Sequence, residues 1–239
     1  MLFGIIIALV LGFSGLFYYL FMSSFSQVFG YFPYKIKTSK KIIAITFDDG
    51  PNDPYTSELL DFLKEKNIKC TFFLVGRMIQ KYPDTAKRIL NEGHTVANHS
   101  YSHQFRNYFK SLKFNQEIEQ NQKTIENKLG VKCALYRAPW LFRHPYILKN
   151  LKSKKLIPVS GLFCHPLEVL RPSPSLIAKH AKKIAKPGRI IIFHDGKEGV
   201  GGNRRETVEA LKLTVELLIN DGYSFQTVDQ LLNVPAYQK

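Results

Sequence analysis

The sequence predicts an α/β protein with about seven parallel strands, preceded by a single membrane-spanning helix. Between residues 41 and 228, short β-branched apolar runs alternate with amphipathic segments about seven times, which is typical of parallel strands joined by helical crossovers. Before them, residues 2–22 are almost continuously apolar. The chain has 239 residues, 45% of them apolar, and is long enough for one barrel or two small domains.

The apolar segment 2–22 predicts a helix that crosses a membrane. At about 1.5 Å per residue it would reach about 30 Å, the thickness of the hydrocarbon core of a bilayer. A signal peptide usually has a basic start and an apolar stretch of only about 7–15 residues, and this segment has neither. The serine-rich stretch 23–26 leaves cleavage open as the alternative. We therefore predict a retained anchor over residues 1–24, a linker over 25–39 and a globular domain over 40–235.

The predicted strands are short runs rich in Ile, Val, Phe and Thr, bounded by Gly, Pro or polar residues. They cover residues 41–47, 68–76, 94–99, 131–140, 156–160, 189–196 and 223–228. The first run is apolar without alternation, which predicts a strand that is buried on both faces.

The predicted helices between these strands are amphipathic and carry recognisable ends. They cover residues 56–67, 83–93, 114–130, 145–154, 173–188 and 204–222. Pro83 stands at the start of one helix, and Gly93 and Gly130 stand at the ends of two, as the preferences of helix termini predict.

Several chemically capable side chains follow the predicted strands. In parallel α/β folds, chemistry collects beyond the carboxyl ends of the strands. Asp48 and Asp49 follow the first strand, and His99 follows the third. Arg137 lies at the fourth strand and His194 at the sixth. We expect these five side chains to share one rim of the sheet.

The histidine pair and the aspartate pair together indicate a metal site. His99 and His103 are four residues apart, and on a helix or a tight loop this spacing aims both imidazoles at one point. With a carboxylate they form a set of ligands that suits Zn²⁺ or another divalent metal. Asp48 and Asp49 are adjacent, so their charges repel and shift each other's pKa. Solvent around an exposed turn would reduce this repulsion, and a bound metal cation would neutralise it.

Four short motifs, in this order and at these distances, resemble the polysaccharide deacetylase family, also called the NodB-homology domain or carbohydrate esterase family 4. They are TFDDG, HSYSH, RAPW and IFHDG, and the resemblance covers roughly residues 40–232. It implies a distorted (β/α) barrel as the fold. It also implies metal-dependent removal of an N- or O-acetyl group from a sugar.

The resemblance assigns the metal-site residues to roles. Asp48 matches the family's general base, and Asp49 matches a metal ligand. His99 and His103 match the other two ligands. The implied cofactor is one divalent metal, with Zn²⁺ favoured and other divalent metals left open.

The remaining motif residues match groups that act on the substrate. Arg137 matches the arginine that pairs with the catalytic Asp48, and His194 matches the histidine that protonates the leaving amine. Ile192 matches the apolar wall that holds the acetyl methyl group. Trp140 is expected to offer its backbone N–H to the oxyanion and to help build a platform for the sugar.

One stretch departs from the family pattern. After the fifth strand the family commonly has an Asp that orients the acid histidine and a Trp that lines the acetate pocket, and residues 157–170 contain neither. His194 therefore lacks its usual partner. His165, Glu168 and Asp195 are the candidates to replace it, and the sequence does not choose among them.

The charge pattern predicts the kind of partner and the side of the membrane on which the domain lies. The formal net charge is +15, which favours anionic partners such as lipid head groups, and we find no nucleic-acid motif. Four lysines follow the span and no Lys or Arg precedes it in the sequence: Lys35, Lys37, Lys40 and Lys41. The positive-inside rule then places the domain in the cytoplasm, whereas the family's usual polymers lie outside the cell. The three cysteines do not read as a disulfide framework or a zinc knuckle.

We therefore expect a single-pass protein of the cell membrane, with the side of the domain left open. The leading hypothesis is a deacetylase of an amino-sugar polymer such as peptidoglycan or a chitin-like oligosaccharide. The second is a deacylase or deformylase of a lipid-linked amino sugar at the membrane face. The third is a catalytically weak module that binds sugar. No protein partner is inferred.

Overall fold

A curved parallel sheet forms the centre of the molecule. The computed structural model describes residues 1–239, apart from the side chain of Leu2. The strands are β1 (Ile42–Asp48), β2 (Thr71–Leu74), β3 (Thr95–Asn98), β4 (Leu135–Tyr136), β5 (Ile157–Pro158), β6 (Leu162–Phe163), β7 (Ile190–His194) and β8 (Ser224–Phe225). Their order is β5-β4-β3-β2-β1-β7-β6, every pairing is parallel, and β8 adds to the start of β1.

The two edge strands of this sheet are consecutive along the chain. β5 and β6 lie at opposite ends of the strand order, yet only residues 159–161 join them. Four peptide steps span at most about 15 Å, so the sheet must curve until its edges nearly meet. The predicted α/β fold, a distorted barrel of about seven parallel strands preceded by an apolar helix, is confirmed.

Helices surround the sheet on its outer side. They are α2 (Tyr55–Glu65), α3 (Gly76–Lys81), α4 (Pro83–Asn91), α5 (Ser111–Leu129), α6 (Pro145–Ser153), α7 (Pro174–Ile184) and α8 (Arg205–Asn220). Two further helices lie elsewhere: α1 (Leu2–Met22) is exposed, and α9 (Val228–Leu232) packs against residues inside the barrel. Ile43, Ile45 and Phe47 of β1 pack with apolar residues of α2 and α8 in the largest core cluster. This outer layer is therefore the main hydrophobic core.

Alternation along the strands decides which side chains face the inside of the barrel. Ala44 of β1, Ala97 of β3, Leu135 of β4 and Ile190 of β7 belong to a separate inner cluster. Because side chains alternate with a period of two, Asp48, His99, Arg137 and His194 share the inner face with these residues. These four residues continue the inner rows at the carboxyl ends of the strands.

The sequence missed three short elements. They are α3, β6 and α9. Gly76 was expected to close a strand and instead begins α3. A Cβ at this position would lie 2.5 Å from the Tyr101 ring, so the site requires glycine. The predicted strand 131–140 is also much too long: only β4 pairs, and residues 139–141 form a 3-10 turn at Pro139. With β6 counted, His194 ends the seventh strand and not the sixth.

The N-terminal helix α1 carries exposed apolar side chains along its length. One helix of the described residues, Phe3–Met22, is long and apolar enough to cross a membrane, and a signal sequence has the same character. Its last turn approaches the 3-10 turn 139–141 of the domain. The chain then continues through buried Ser24 and Ser26 into the body of the fold.

Candidate active site

The carboxyl ends of four strands bring the predicted site residues together. Asp48 ends β1 and His194 ends β7, and the two stand opposite each other in the strand register. His99 follows β3 directly, and Arg137 follows β4. A cavity of about 480 Å³ opens over this rim and is lined by Asp48, Asp49, His99, His103, Trp140 and His194 among others.

A tight turn after β1 presents the two carboxylates. Asp49 has a left-handed backbone with φ of 77°, a conformation that Asp tolerates better than most residues. Gly50 follows, and a Cβ at this position would lie 2.0 Å from the Asp195 carboxylate. Only glycine therefore fits beside Asp195. The turn leaves Asp48 on the inner row of β1 and places Asp49 beside the two histidines.

A loop after β3 carries the histidines, and the carboxylate of Glu117 on α5 holds that loop. Ser100 and His103 both have left-handed backbones. The Glu117 carboxylate accepts hydrogen bonds from the backbone N–H of Tyr101 at 3.1 Å and of Ser102 at 2.7 Å. It also accepts one from the Ser102 hydroxyl at 2.6 Å. Nothing in the sequence links Glu117 to this loop, so it was missed.

The three expected ligand residues place their donor atoms close together. One ligand atom from each of Asp49, His99 and His103 lies within 4.8 Å of the others, and all three residues are buried. Asp49 Oδ1 lies 3.4 Å from His99 Nε2 and 3.1 Å from His103 Nε2. Ligands at about 2.0–2.1 Å in a tetrahedral zinc site stand about 3.3 Å apart, so this spacing fits a metal.

Hydrogen bonding around the cluster also fits a metal. His99 Nδ1 lies 2.8 Å from the carbonyl oxygen of Arg137, which can only accept, so Nδ1 carries the proton. The lone pair of His99 Nε2 is then free to bind a metal, as in many metal sites. Asp49 Oδ1 is buried and has no hydrogen-bond partner within the described part of the chain. A buried carboxylate oxygen without a partner is costly, and a cation would remove that cost.

The charges of the cluster depend on one another. Burial raises the pKa of Asp49, but the charge of His103 and the closeness of both imidazoles outweigh it and hold that pKa well below its usual range. Burial lowers the pKa of His103, and the nearby charge of Asp49 more than reverses this, so the pKa is raised. The cluster therefore keeps Asp49 ionised.

Asp48 forms a buried ion pair with Arg137. The guanidinium Nη1 donates to Asp48 Oδ1 at 2.6 Å and to the Thr46 hydroxyl at 2.7 Å. Its Nη2 donates to the Ser160 carbonyl at 3.1 Å, in the gap between the sheet edges, and the group stacks on Phe73. Burial lowers the pKa of Arg137 despite the nearby charge of Asp48. One oxygen of Asp48 is thus fixed, and Oδ2 faces His99 Nε2 at 4.0 Å.

Of the three candidate partners of His194, the structure places Glu168 in contact with it. Glu168 Oε2 lies 2.7 Å from His194 Nδ1, and Oε1 accepts from the His194 backbone N–H at 3.1 Å. Oε1 also accepts from the Thr207 hydroxyl of α8 at 3.0 Å. Glu168, within residues 157–170, therefore pairs with His194 in place of the Asp that the family pattern has and this sequence lacks.

This pair has strongly shifted proton affinities. Burial lowers the pKa of His194, but the charge and hydrogen bond of Glu168 outweigh it and raise the pKa to about 9. Burial raises the pKa of Glu168, and the charge and hydrogen bonds of His194 bring it below its usual value. His194 is accordingly protonated at neutral pH.

The two other candidates lie elsewhere. Asp195 is fully buried beneath the turn after β1, where its Oδ2 accepts from the Thr56 hydroxyl at 2.6 Å, and burial raises its pKa to about 7. His165 lines the cavity, and its Nδ1 accepts from the Leu167 backbone N–H at 3.1 Å.

The expected substrate-contacting residues differ in position. Trp140 lines the cavity, and its ring lies against His103 with centroids 4.3 Å apart. Ile192 is fully buried on the inner row of β7 near Gly161, and is not among the described residues that line the cavity. Phe163 of β6 stacks on His194 with centroids 5.9 Å apart and lines the cavity, a position that the sequence did not indicate.

Comparison with known proteins now decides the family. The family model described as polysaccharide deacetylase matches residues 35–157, half of the chain. The chain belongs to the polysaccharide deacetylase family. The resemblance seen in the motifs is confirmed, and so is the prediction of an enzyme of this class, a hydrolase acting on linear amides.

Three relatives of this deacetylase have names that state a peptidoglycan or chitooligosaccharide substrate. A peptidoglycan-N-acetylglucosamine deacetylase of Bacillus cereus is 34% identical over 204 residues, covering 85% of this chain and 93% of the relative. A chitooligosaccharide deacetylase of Rhizobium leguminosarum is 30% identical, covering 79% of this chain and 90% of the relative. The N-acetylmuramic acid deacetylase PdaC of Bacillus subtilis is 33% identical, covering 83% of this chain and 40% of the relative.

Solved structures agree with the polysaccharide deacetylase fold. The crystal structure of the Bc1960 peptidoglycan N-acetylglucosamine deacetylase, in complex with 4-naphthalen-1-yl-N-oxidanyl-benzamide, superposes with a TM-score of 0.78 at 28% identity, over 86% of this chain and 92% of that one. The structure of PdaC from Bacillus subtilis superposes with a TM-score of 0.70 at 30% identity, over 83% of this chain and 93% of that one.

Proposed function

We propose that this deacetylase removes N-acetyl groups from amino sugars of a peptidoglycan-like or chitin-like glycan, with one divalent metal, Zn²⁺ being favoured. Asp49, His99 and His103 would hold the metal. The observation that carries the proposal is the cluster of their three ligand atoms beside the buried Asp48–Arg137 pair, at the floor of an open cavity. The names of the relatives support the amide and the amino sugar.

The roles of the residues follow from their positions. When bound, a divalent metal polarises the amide carbonyl and lowers the pKa of water at the site. Asp48 takes a proton from the attacking water through Oδ2, because Arg137 occupies Oδ1 and holds the carboxylate in place. His194 then gives its proton to the leaving nitrogen, so the C–N bond breaks to acetate and a free amine.

The pocket residues complete this assignment. The backbone N–H of Trp140 would stabilise the oxyanion, as donors placed at a developing charge do. Its ring, exposed to the cavity beside His103, would support the sugar. Ile192 would form the apolar wall for the methyl group from below, and we add Phe163, which reaches the cavity itself. The presence of base, arginine and acid together supports catalysis over a module that only binds sugar.

We expect Asp48 to be needed for turnover but not for metal binding, and Asp49 to be needed for metal binding. Asp48→Asn should lower the rate of acetate release by about 10²–10⁴-fold while the metal stays bound, because the base acts on the water and does not hold the ion. Asp49→Asn, the matched control, should lose the metal. Asn is isosteric at both positions, so thermal unfolding should show both variants folded.

The measurement is acetate release by the purified full chain from chitooligosaccharides and peptidoglycan, with and without a chelator, together with metal analysis. The panel includes formate release from lipid-linked amino sugars. Wild-type protein that binds no divalent metal, or Asp48→Asn protein that turns over at the normal rate, would contradict the mechanism.

A lipid-linked amino sugar at the membrane face is the second candidate substrate. The observation that favours it is the approach of the last turn of α1 to residues 139–141, which include Trp140. We propose that α1 is a retained single-pass anchor. We further propose that the catalytic domain spans about 40–235 and that the preceding segment packs onto it, since Phe32 is buried and the Ile36 N–H bonds the Gly188 carbonyl at 2.9 Å.

A further inference from the structure

Aromatic contacts join the end of α1 to the candidate metal site. The ring centroid of Phe21, in the last turn of α1, lies 6.1 Å from that of Phe142. Phe142 lies 5.7 Å from Phe105, and Phe105 lies 4.9 Å from Trp140. Trp140 in turn contacts His103 at 4.3 Å. A chain of four ring contacts therefore connects the apolar helix to a candidate metal ligand.

A buried arginine fixes the helix in this position. The backbone N–H of Arg143 donates to the Phe21 carbonyl at 2.8 Å. Its Nη1 donates to the carbonyls of Ser23 and Ser26, just beyond the helix, and its Nη2 donates to the Ser160 hydroxyl at 2.7 Å. A cation at the C-terminal end of a helix also interacts favourably with the helix dipole. The helix consequently leaves the domain at one defined place, next to the cavity.

An exposed amphipathic stretch lies beside this exit point. We call residues 106–113 the interfacial segment. Two of its large apolar side chains face solvent, Phe109 with 58% and Leu112 with 70% of its surface exposed. The ring of Phe109 lies 5.6 Å from Phe142, which contacts the end of α1. The basic residues of the segment are Arg106, Lys110 and Lys113.

The chemistry of this segment matches the surface of a bilayer. Exposed apolar side chains flanked by Lys and Arg insert into the region between head groups and acyl chains, while the cations meet anionic head groups. The net charge of +15 suits the same partner. A carbohydrate chain would not need two exposed apolar side chains next to a membrane anchor.

We propose that the interfacial segment rests on an anionic phospholipid bilayer and, with α1, holds the mouth of the cavity at the membrane surface. This placement rests on α1 being a retained anchor and deepens the proposed function. It implies that the deacetylase acts on an amino sugar close to the membrane, such as one attached to a lipid, in preference to distant polymer.

The test measures membrane contact directly in the full-length protein. Leu112→Cys is labelled with an environment-sensitive fluorophore, since Cys70, Cys133 and Cys164 are buried and will not compete. The protein is reconstituted in phosphatidylglycerol-containing vesicles with lipid-borne quenchers. Ile219→Cys, on the exposed face of the last turn of α8, is the matched control.

The control position lies at the other end of the barrel. Ile219 is two residues from Asp221, whose carbonyl accepts from Lys41 Nζ just before β1 begins. The label at 112 should be quenched several-fold more strongly than the label at 219, and more strongly by shallow than by deep quenchers. Equal quenching at both positions, or quenching at 112 that appears only when glycan is added, would overturn the proposal.

A second arm uses activity. Leu112→Asp should lower acetate release from a lipid-linked N-acetyl amino sugar in the same vesicles several-fold and leave release from soluble chitooligosaccharide unchanged. Ile219→Asp should change neither rate. An equal loss on both substrates would contradict the membrane role. If wild-type protein releases acetate from neither substrate, the proposed function fails, while the quenching result still decides the membrane contact.

Discussion

Glu168 raises the pKa of His194, and under the proposed mechanism this sets the pH range in which His194 can act as the acid. With the carboxylate 2.7 Å from Nδ1, the pKa of His194 is about 9, compared with an ordinary value of 6.5. A folded-state pKa above the ordinary value stabilises the folded protein fully below pH 6.5, and this contribution is lost as the pH rises through about 9. The protonated acid is lost over the same range.

We therefore expect Glu168→Gln to narrow the active pH range from the alkaline side. Wild-type kcat should fall as the pH rises through about 9, and in the variant the fall should move down toward 6.5, because the carboxylate charge that raises the pKa is gone. The measurement is kcat against pH from 6 to 10 on a soluble chitooligosaccharide. Glu206→Gln, at a carboxylate that pairs with Arg171 on the surface, is the control. An unchanged alkaline limb would show that His194 is not the acid.

At the scale of elements, strand alternation explains what the sequence predicts and what it does not. The inward-facing side chains of β1, β3 and β7 lead directly to the candidate site residues at the carboxyl ends of these strands. Both the strand ends and these site residues were therefore predictable from apolar runs and motifs. Strands of two residues, such as β4 and β6, carry no period of their own and are set by their neighbours. Their bounds were accordingly wrong or missed.

The partner of His194 shows the same limit. The sequence offered three candidates, and the choice depends on packing between distant elements. Glu168 lies in a 3-10 turn at residues 168–170 and is held from α8 by Thr207. Asp195 follows His194 directly, but alternation turns it away from the inner face. Only the fold brings residue 168 next to residue 194.

The histidine loop provides a prediction at this scale. The Glu117 carboxylate accepts hydrogen bonds from two backbone N–H groups and from the Ser102 hydroxyl. Glu117→Gln removes its negative charge and replaces one acceptor oxygen with an NH₂ group, which can only donate. Because the left-handed backbone at His103 depends on this support, metal affinity should fall by about 10–100-fold, as for other groups that orient ligands. Competition with a metal-binding dye measures it. Glu119→Gln, on the exposed side of α5, is the matched control, and equal affinities in both variants would contradict the role of Glu117.

At the scale of the whole molecule, the charges beside α1 predict the side of the membrane on which the domain would lie if α1 is the proposed anchor. Lys35, Lys37, Lys40 and Lys41 follow α1, and the positive-inside rule predicts a cytoplasmic domain from them. A reporter active only in the cytoplasm, fused after Lys239, should then be active, and replacing the four lysines with Gln should abolish its activity by inverting the span. An inactive reporter in both proteins would place the domain outside and favour a wall polymer over a lipid-linked substrate.

The proposal that α1 is a retained anchor is supported by contacts between the end of α1 and the domain. In the folded protein Ser24 and Ser26 are buried, and Arg143 Nη1 binds the carbonyls of Ser23 and Ser26, so the segment after α1 is part of the folded domain. We therefore expect the protein to keep α1: it should stay in the membrane fraction after an alkaline wash, and its intact mass should include residues 1–24. Arg143→Ala, which frees the segment, should become sensitive to protease between residues 23 and 36 while wild-type protein resists. Soluble wild-type protein that begins near Ser26 would contradict both the retained anchor and the membrane contact of the interfacial segment.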